Sequence, residues 1–125
     1  MIQEDKDLLL KDLCARLPYN VAIDCRDEDS RFTCYLTTDM LREIQNNNCY
    51  WEYKPYLFPI SSMTEEQKEE FNTQSLELQL KVINDEIMYE KATEFEVDFY
   101  NKHHLDWRGL IPKGLAKDAT NLNIY

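Results

Sequence analysis

The sequence predicts a single α+β domain over 1–125, with an N-terminal helix, a small antiparallel sheet or partial barrel, and C-terminal helices with a wrapping tail. Three observations predict this fold class. Leucines recur at a four-residue spacing near the N-terminus, as on the buried face of a helix. Two short runs with β-branched residues flank a polar turn, which is typical of a β-hairpin. The stretch 94–116 combines aromatic residues with both glycines of the chain, which predicts a helix followed by a folded tail.

The first helix is predicted over Asp5–Leu17. Leu9, Leu13 and Leu17 lie four residues apart in this stretch, so a helix places them on one face. Pro18 follows directly and has no backbone N–H to continue the helix. The helix therefore ends at Leu17 and turns its leucine face inward.

Two strands are predicted next, Asn20–Cys25 and Arg31–Leu36. The polar residues Arg26–Ser30 between them form the turn of an antiparallel hairpin. Side chains alternate along a strand, so one face of the first strand carries an apolar set: Val21, Ile23 and Cys25.

A short helix is predicted over Asp39–Gln45, followed by an asparagine loop over 46–48 and a third strand over Cys49–Tyr53. The segment Lys54–Thr64 then joins the two halves of the chain. Its prolines favour an extended backbone, so we expect it to cross the core as an apolar clip.

A capping box, Thr64 to Gln67, predicts the start of the next helix. The stretch Gln74–Ile83 has two interpretations, because its leucines alternate as in a strand and also recur as on a helix. Its Glu, Gln, Lys and Leu content favours helix. The helical stripe would consist of Leu76, Leu80, Ile83 and Ile87.

A second capping box, Thr93 to Glu96, predicts the start of the last helix. Turns with positive φ are predicted at Gly109 and Gly114, and Pro112 prevents a helix from continuing through the tail. We expect the centre of the core to be formed by one apolar set in mutual contact: Phe95, Phe99, Trp107 and Leu110.

Composition and charge exclude some functions. The net charge is −10, and Lys and Arg are scattered rather than clustered, so direct binding to a phosphate backbone is not expected. The acidic N-terminus and the lack of an apolar run of roughly 20 residues predict a cytoplasmic protein without a membrane segment. The partner is predicted to be another protein.

The four cysteines show no metal-binding spacing and no neighbouring histidine, so we predict no zinc and no other cofactor. Buried free thiols are the expectation, because the compartment is predicted to be reducing. Cys25 and Cys34 are the one pair that the predicted hairpin would bring together. The remaining two are Cys14 and Cys49.

Two surfaces are candidate binding sites. The first is acidic and lies on the first turns of the helix that follows Thr64: Glu66, Glu69 and Glu70. The second is the start of an aromatic run: Tyr50, Trp51 and Tyr53. Clustered carboxylates in an exposed helix favour a basic partner, whereas aromatic side chains in a small α+β domain also serve as core residues.

No catalytic residues are assigned, and we predict that the protein is not an enzyme. The paired histidines His103 and His104 are expected at a helix C-terminus, where histidine is favourable. Adjacent helical side chains point about 100° apart, so the pair does not predict a metal site. The alternative is a small hydrolase or nuclease that uses Asp98, His103 or His104, with Asp106 as a further acid near the aromatic residues.

Three blocks of the sequence, 8–19, 54–64 and 98–116, resemble a group of small uncharacterised proteins encoded by phages and mobile elements of gut-dwelling anaerobic bacteria. The resemblance implies an accessory protein of a phage or prophage, working in the bacterial cytoplasm. It implies no activity and no site residues. The predicted function is therefore that of a non-enzymatic protein-binding accessory factor, with an acidic inhibitor of a host defence nuclease as the alternative.

Overall fold

The structure is a computed structural model that describes the backbone of residues 2–46, 51–84 and 89–125 and the side chains of residues 2–46, 51–76 and 94–125. This part of the chain contains four α-helices: α1 (Gln3–Arg16), α2 (Thr38–Asn46), α3 (Glu65–Asn84) and α4 (Tyr89–Lys102). It also contains four strands: β1 (Ala22–Arg26), β2 (Arg31–Tyr35), β3 (Glu52–Leu57) and β4 (Lys117–Asp118). These elements confirm the α+β prediction.

The strands form one open sheet in the order β2-β1-β3-β4. β1 is antiparallel to both β2 and β3, as predicted, whereas β4 pairs parallel to β3. The parallel strand comes from the tail, which returns along the end of β3. The sheet is therefore mixed, because the tail supplies a strand that runs in the direction of β3.

The predicted hairpin is confirmed. Cys25 lies opposite Phe32, and the register continues without interruption to Arg26 opposite Arg31. In the turn, the Asp27 carboxylate accepts backbone N–H groups, from Asp29 at 2.8 Å and Ser30 at 2.6 Å. This aspartate fixes the turn locally, because its side chain accepts hydrogen bonds from two backbone N–H groups that lie outside the ladder between the strands.

The third strand differs from its prediction. β3 covers Glu52–Leu57, so Trp51 precedes it, and 47–50 lie outside the described residues. Pro55, which predicted a linker, sits in the strand opposite Ile23. β4 pairs only with the last two residues of β3, so one side of Pro55 has no strand partner in the described sheet. Proline is tolerated where no ladder N–H is required.

The main core is aliphatic and lies between α1, α2 and one face of the sheet. Leu9 and Leu13 of α1 are fully buried there, which confirms the predicted inward face of this helix. α1 itself ends at Arg16, and Leu17 opens a short 3₁₀ turn through Pro18 to Tyr19. The buried members of this core are Leu9, Leu13, Val21, Ile23, Cys25, Leu36, Ile44, Leu57, Leu110, Leu115 and Ala116.

Both faces of β1 are covered, which the predicted one-sided alternation did not include. Ala22 points away from the main core into a smaller cluster with Tyr56 and Ala119. Phe58 and Ile124 pack against that cluster from the end of β3 and from the tail. The wrapping tail therefore does more than close the chain, because it buries the second face of the central strand.

The predicted centre of the core is correct only in part. Phe99 is 3% exposed and Leu110 is fully buried, but Leu110 belongs to the aliphatic core. Phe95 and Trp107 are only half-buried. The rings instead form a separate group between α3 and α4, called the aromatic cluster below: Phe71, Phe95, Phe99, Tyr100, His103 and Trp107. The leucines of α1 supply the apolar area that the prediction assigned to the tail.

The start of α3 confirms the first capping box. The Thr64 N–H donates to the Gln67 side-chain oxygen at 3.0 Å, and the Gln67 N–H donates to the Thr64 hydroxyl at 3.1 Å. The helix runs to Asn84, so the helical interpretation of Gln74–Ile83 is confirmed. Leu76, a member of the predicted helical stripe, is 57% exposed. The side chains of Leu80 and Ile83, and the whole of Ile87, lie outside the described residues.

The second capping box is wrong as a helix start. α4 begins at Tyr89, so Thr93 lies inside the helix rather than before it. Its end is as predicted, since the chain leaves the helix at His103 and His104. His104 adopts φ +57°, and both predicted glycine turns have positive φ, +75° at Gly109 and +74° at Gly114.

The sulfur atoms of Cys25 and Cys34 lie in contact between β1 and β2, so the hairpin brings this pair together as predicted. The expectation of free thiols stays a prediction for this pair, and the mass of the protein under non-reducing conditions is the measurement that tests it. Their positions in the register are diagonal, Cys25 opposite Phe32 and Cys34 opposite Ile23, so both side chains lie on the core face of the hairpin. Cys14 is free but exposed rather than buried, and Cys49 lies outside the described residues.

Candidate functional site

The acidic candidate surface lies on the first turns of α3. Glu66 and Glu69 are exposed, and Glu70 is half-buried. Glu65, the first residue of the helix, forms an exposed ion pair with Lys68 at 3.3 Å. Acid in the first turn is favoured by the helix dipole, whereas Glu66 and Glu70, four residues apart, repel each other by a few tenths of a kcal/mol. We call this surface, Glu66, Glu69 and Glu70, the α3 acidic face.

One member of the α3 acidic face has a partner. The Glu70 carboxylate lies 3.8 Å from His103 Nε2, at the C-terminal end of α4. Within the described residues, Glu66 and Glu69 make no ion pair and no side-chain hydrogen bond. The exposed part of the face is therefore a local excess of negative charge.

The aromatic candidate surface is divided. Tyr50 lies outside the described residues, while Trp51 and Tyr53 are half-buried and pack against the main core. The Tyr53 hydroxyl donates to Glu43 of α2 at 2.5 Å. The Trp51 ring meets Phe32 of β2 edge-on, with 5.0 Å between the ring centroids. Trp51 and Tyr53 thus help to close the sheet against α2, and only their outer parts reach the surface.

His103 belongs to the aromatic cluster. Its ring lies 4.4 Å from the Phe99 ring, and its Nδ1 is 3.4 Å from the Gln67 side-chain nitrogen. Burial lowers the pKa of His103, although the Glu70 carboxylate acts in the opposite direction. This histidine therefore joins the end of α4 to the start of α3.

His104 faces a different environment, as expected for adjacent residues. Its ring stacks on Tyr125, the last residue of the chain, with 3.8 Å between centroids and 10° between planes. The Tyr125 hydroxyl donates to the Tyr56 carbonyl at 2.7 Å and accepts the Ala22 N–H at 2.9 Å. Burial is the main cause that raises the pKa of Tyr125 to about 12. The pair fixes the end of the tail on the sheet.

A buried ionic cluster joins α1 to the tail. Arg16 and Asp12 are both 0% exposed and pair through Arg16 Nε at 2.7 Å and Nη2 at 3.2 Å. Arg16 Nη2 also donates to the Leu105 carbonyl at 2.6 Å. Arg108 Nε lies 3.3 Å from the same Asp12 carboxylate. One carboxylate thus serves two guanidinium groups, and its loss would leave both without a counter-charge.

The residues of this ionic cluster are not among the predicted site residues. Asp12 and Arg16 are four residues apart on α1 in the favourable order, with acid before base, and this spacing was a usable signal. The leucine stripe of the same helix led instead to an interpretation of α1 as an apolar packing helix. Nothing local indicates that Arg108 joins them, because it arrives from the other end of the chain.

The two acids considered for catalysis have different positions. Asp98 is exposed on α4. Asp106 is buried, and its carboxylate accepts the backbone N–H groups of Leu110 at 2.7 Å and Ile111 at 2.9 Å. Asp106 therefore organises the turn that follows α4, in the way that a capping residue holds the first turn of a helix.

A pH effect follows from His104. Burial, together with the charge of Arg16 and of His103, lowers its pKa from 6.5 to about 4. In the unfolded chain the pKa returns to 6.5, so between those values the unfolded state binds more protons. The contribution of neutral His104 is complete above pH 6.5 and is lost as the pH falls towards about 4.

We expect the melting temperature to fall between pH 7 and pH 5 in the parent protein, and the fall to be smaller in His104→Gln. His103→Gln is the matched control. It should keep more of the fall than His104→Gln, because the Glu70 carboxylate counteracts the lowering of the His103 pKa by burial. Calorimetry of the three proteins across this range is the measurement. Identical pH profiles for parent and His104→Gln would contradict the assignment.

The fold and these surfaces define an α+β protein with an acidic helix face and a tail anchored by buried polar contacts. No family model matches this chain, and no curated protein or solved structure matches it either. Within the described residues, no group of three or more His, Cys, Asp and Glu side chains is arranged to hold a metal ion. None of the helices in the same part of the chain is both long and apolar enough to cross a membrane.

Proposed function

We propose that the protein is a non-enzymatic accessory factor that binds a basic partner protein through the α3 acidic face. The observation that supports this is the exposure of Glu66 and Glu69 without an ion pair among the described residues. Carboxylates left without counter-charges attract a complementary surface and speed its association. The net charge of −10 adds a field of the same sign.

The setting of this proposal comes from the sequence resemblance described above, which implies a phage or prophage origin and a bacterial cytoplasm. The partner would then be a host or phage protein with a basic surface. A host defence nuclease is one such partner, because its nucleic-acid groove is basic and an acidic protein can occupy it. In that case the protein acts as an inhibitor.

The experiment reverses the charge of the face. Glu66→Lys, Glu69→Lys and Glu70→Lys together should leave the fold intact and abolish capture of the partner from host cells. The control reverses three exposed acids on other helices: Glu4, Asp7 and Glu94. Both variants change the net charge equally, so loss of capture in the first alone assigns binding to the α3 acidic face.

Salt provides the second readout. Parent binding should weaken as the salt concentration rises from roughly 0.05 to 0.5 M, where the screening length falls well below 10 Å. Capture that survives the α3 reversal at every salt concentration would remove this face from the functional account. Metal-dependent turnover that is lost with Asp98, His103 or His104 would instead support the hydrolase or nuclease alternative.

A further inference from the structure

β2 is an exposed edge of the sheet. β1 is its only strand neighbour in the described part of the chain, and four of its five residues are exposed. Phe32 is 47% exposed and Tyr35 60%, so large apolar groups stand on both faces of this strand. Edge strands are usually shielded by proline, lysine, a bulge or a covering segment, because their free backbone groups pair readily with other chains. β2 has no proline and no bulge, and its one charged residue, Arg31, is paired with Asp24 of β1 at 2.8 Å.

The hydrogen-bond pattern identifies which backbone groups are free. The Leu36 N–H donates to the Val21 carbonyl at 3.0 Å, and the Asp27 N–H donates to the Ser30 carbonyl at 3.0 Å. Bonded and non-bonded pairs alternate in an antiparallel ladder. The pairs between these two positions therefore bond at Phe32 and Cys34, and the other three residues turn their N–H and C=O groups away from β1: Arg31, Thr33 and Tyr35.

The outward groups form a template for one more strand. Arg31, Thr33 and Tyr35 each present one N–H and one C=O group outward, so an added strand can form a ladder with all three residues. The side chains of these three residues lie on the sheet face that carries Asp24, where Arg31 already pairs with that carboxylate at 2.8 Å. Phe32 lies on the opposite face against Trp51. An added strand would extend both faces, and contact with the exposed rings of Phe32 and Tyr35 would favour apolar side chains in it.

Charge decides what kind of segment fits. The exposed acids Glu28 and Asp29 stand in the turn at one end of β2, and Asp39, which pairs with Arg42 at 3.4 Å, stands beyond the other end. In a symmetric antiparallel pair of two copies, centred on Thr33, the acidic turn of each copy would approach Asp39 of the other. Such a pair would bring together two chains that each carry a net charge of −10. A second copy is therefore disfavoured, and a basic segment is complementary.

We propose that β2 is a strand-addition site for an extended, basic segment of a partner protein. The choice of a basic protein partner rests on the proposed function, whereas the docking mode rests on the sheet edge alone. Antiparallel addition places the C-terminal end of the incoming strand beside the turn with Glu28 and Asp29. The segment should thus carry its lysines or arginines after the extended stretch.

The test uses the full chain and a synthetic peptide of alternating valine and threonine that ends in a run of lysines. NMR hydrogen exchange follows the amides of Arg31, Thr33 and Tyr35, which should exchange rapidly in the free protein and become protected with the peptide. A peptide ending in glutamates, and one with an N-methyl group on every amide of its extended stretch, should not protect them. Absence of protection with the lysine peptide would overturn the proposal.

Variants of one residue separate docking from folding. Thr33→Pro removes an outward N–H and should weaken peptide binding about tenfold or more, while the ladder to β1 stays intact. Thr33→Val keeps the N–H and the branched side chain, so it should bind as the parent does. Equal binding of Thr33→Pro and Thr33→Val would contradict strand addition, with circular dichroism showing that both variants are folded.

Two further outcomes would overturn the proposal. Equal binding of the lysine and glutamate peptides would contradict the proposal that the added segment is basic. Protection of the three amides in the free protein that rises with its own concentration would assign the edge to a second copy and also overturn it. The peptide assay uses no cellular partner, so its failure leaves the capture result on the α3 acidic face standing. Failure of that capture experiment likewise leaves the peptide result standing.

Discussion

Replacing Asp12 with alanine should destabilise the protein by about 3–5 kcal/mol, a large fraction of the total stability of a domain of this size. Asp12 is fully buried, and its carboxylate contacts Arg16 at 2.7 Å and Arg108 at 3.3 Å. Removal of one partner from a buried pair leaves a charge without compensation in a poorly solvated site. Here a single substitution does so for two guanidinium groups.

The loss should be measured by urea unfolding followed by circular dichroism. Asp12→Asn keeps the size and one acceptor oxygen, so the difference between the two variants isolates the charge. Asp39→Ala is the control, because its pair with Arg42 is 79% and 70% exposed and should contribute at most about 1 kcal/mol. A midpoint for Asp12→Ala equal to that of Asp39→Ala would show that the buried ionic cluster does not hold α1 to the tail.

The parts of the fold that depend on neighbours in sequence were predictable. Leu9 and Leu13 share a helix face, and Asp27 closes the hairpin with its own side chain, so each signal is complete within a few residues. The reciprocal cap of Thr64 and Gln67 is of the same kind. Local chemistry decides these elements, and no contact from elsewhere in the chain is needed to explain them.

The second half of the sheet was not predictable in this way. β4 is only two residues long, and it is placed by long-range contacts such as the Ala119 N–H with the Leu57 carbonyl at 2.8 Å. Pro55 lies in a strand because the sheet leaves one of its sides without a partner there. Isolated sequence patterns carry neither fact, since both depend on which strands become neighbours.

The candidate sites likewise include features that local sequence predicts and features that depend on long-range contacts. The positions of Glu66 and Glu69 on an exposed helix face follow from helical spacing, and the structure places them there. The open edge at β2 follows only from the strand order, which the sequence of β2 cannot reveal. The stacked rings of His104 and Tyr125 join the end of α4 to the end of the tail, so the local sequence around neither residue predicts their contact.

The second large effect concerns the aromatic cluster. Phe99→Ala should cost about 3–5 kcal/mol, because deleting a buried phenyl ring removes its transfer free energy and leaves a cavity. Phe99 is 3% exposed and meets Phe71 at 5.1 Å, Phe95 at 6.1 Å and His103 at 4.4 Å between ring centroids. These contacts link α3 to α4 outside the aliphatic core, so no leucine of α1 compensates for their loss.

A thermal melt of Phe99→Ala should show a midpoint roughly 10 °C or more below the parent. Phe32→Ala is the matched control, since the same side chain is removed where it is 47% exposed, and its cost should be nearer about 1 kcal/mol. The ring of Phe99 touches α3 through Phe71, and α3 carries the α3 acidic face. Loss of this ring should therefore weaken partner capture as well as stability, because Glu66 and Glu69 keep their common orientation only while α3 stays docked on α4. A parent-like melt would instead mean that α3 is held by contacts other than the aromatic cluster.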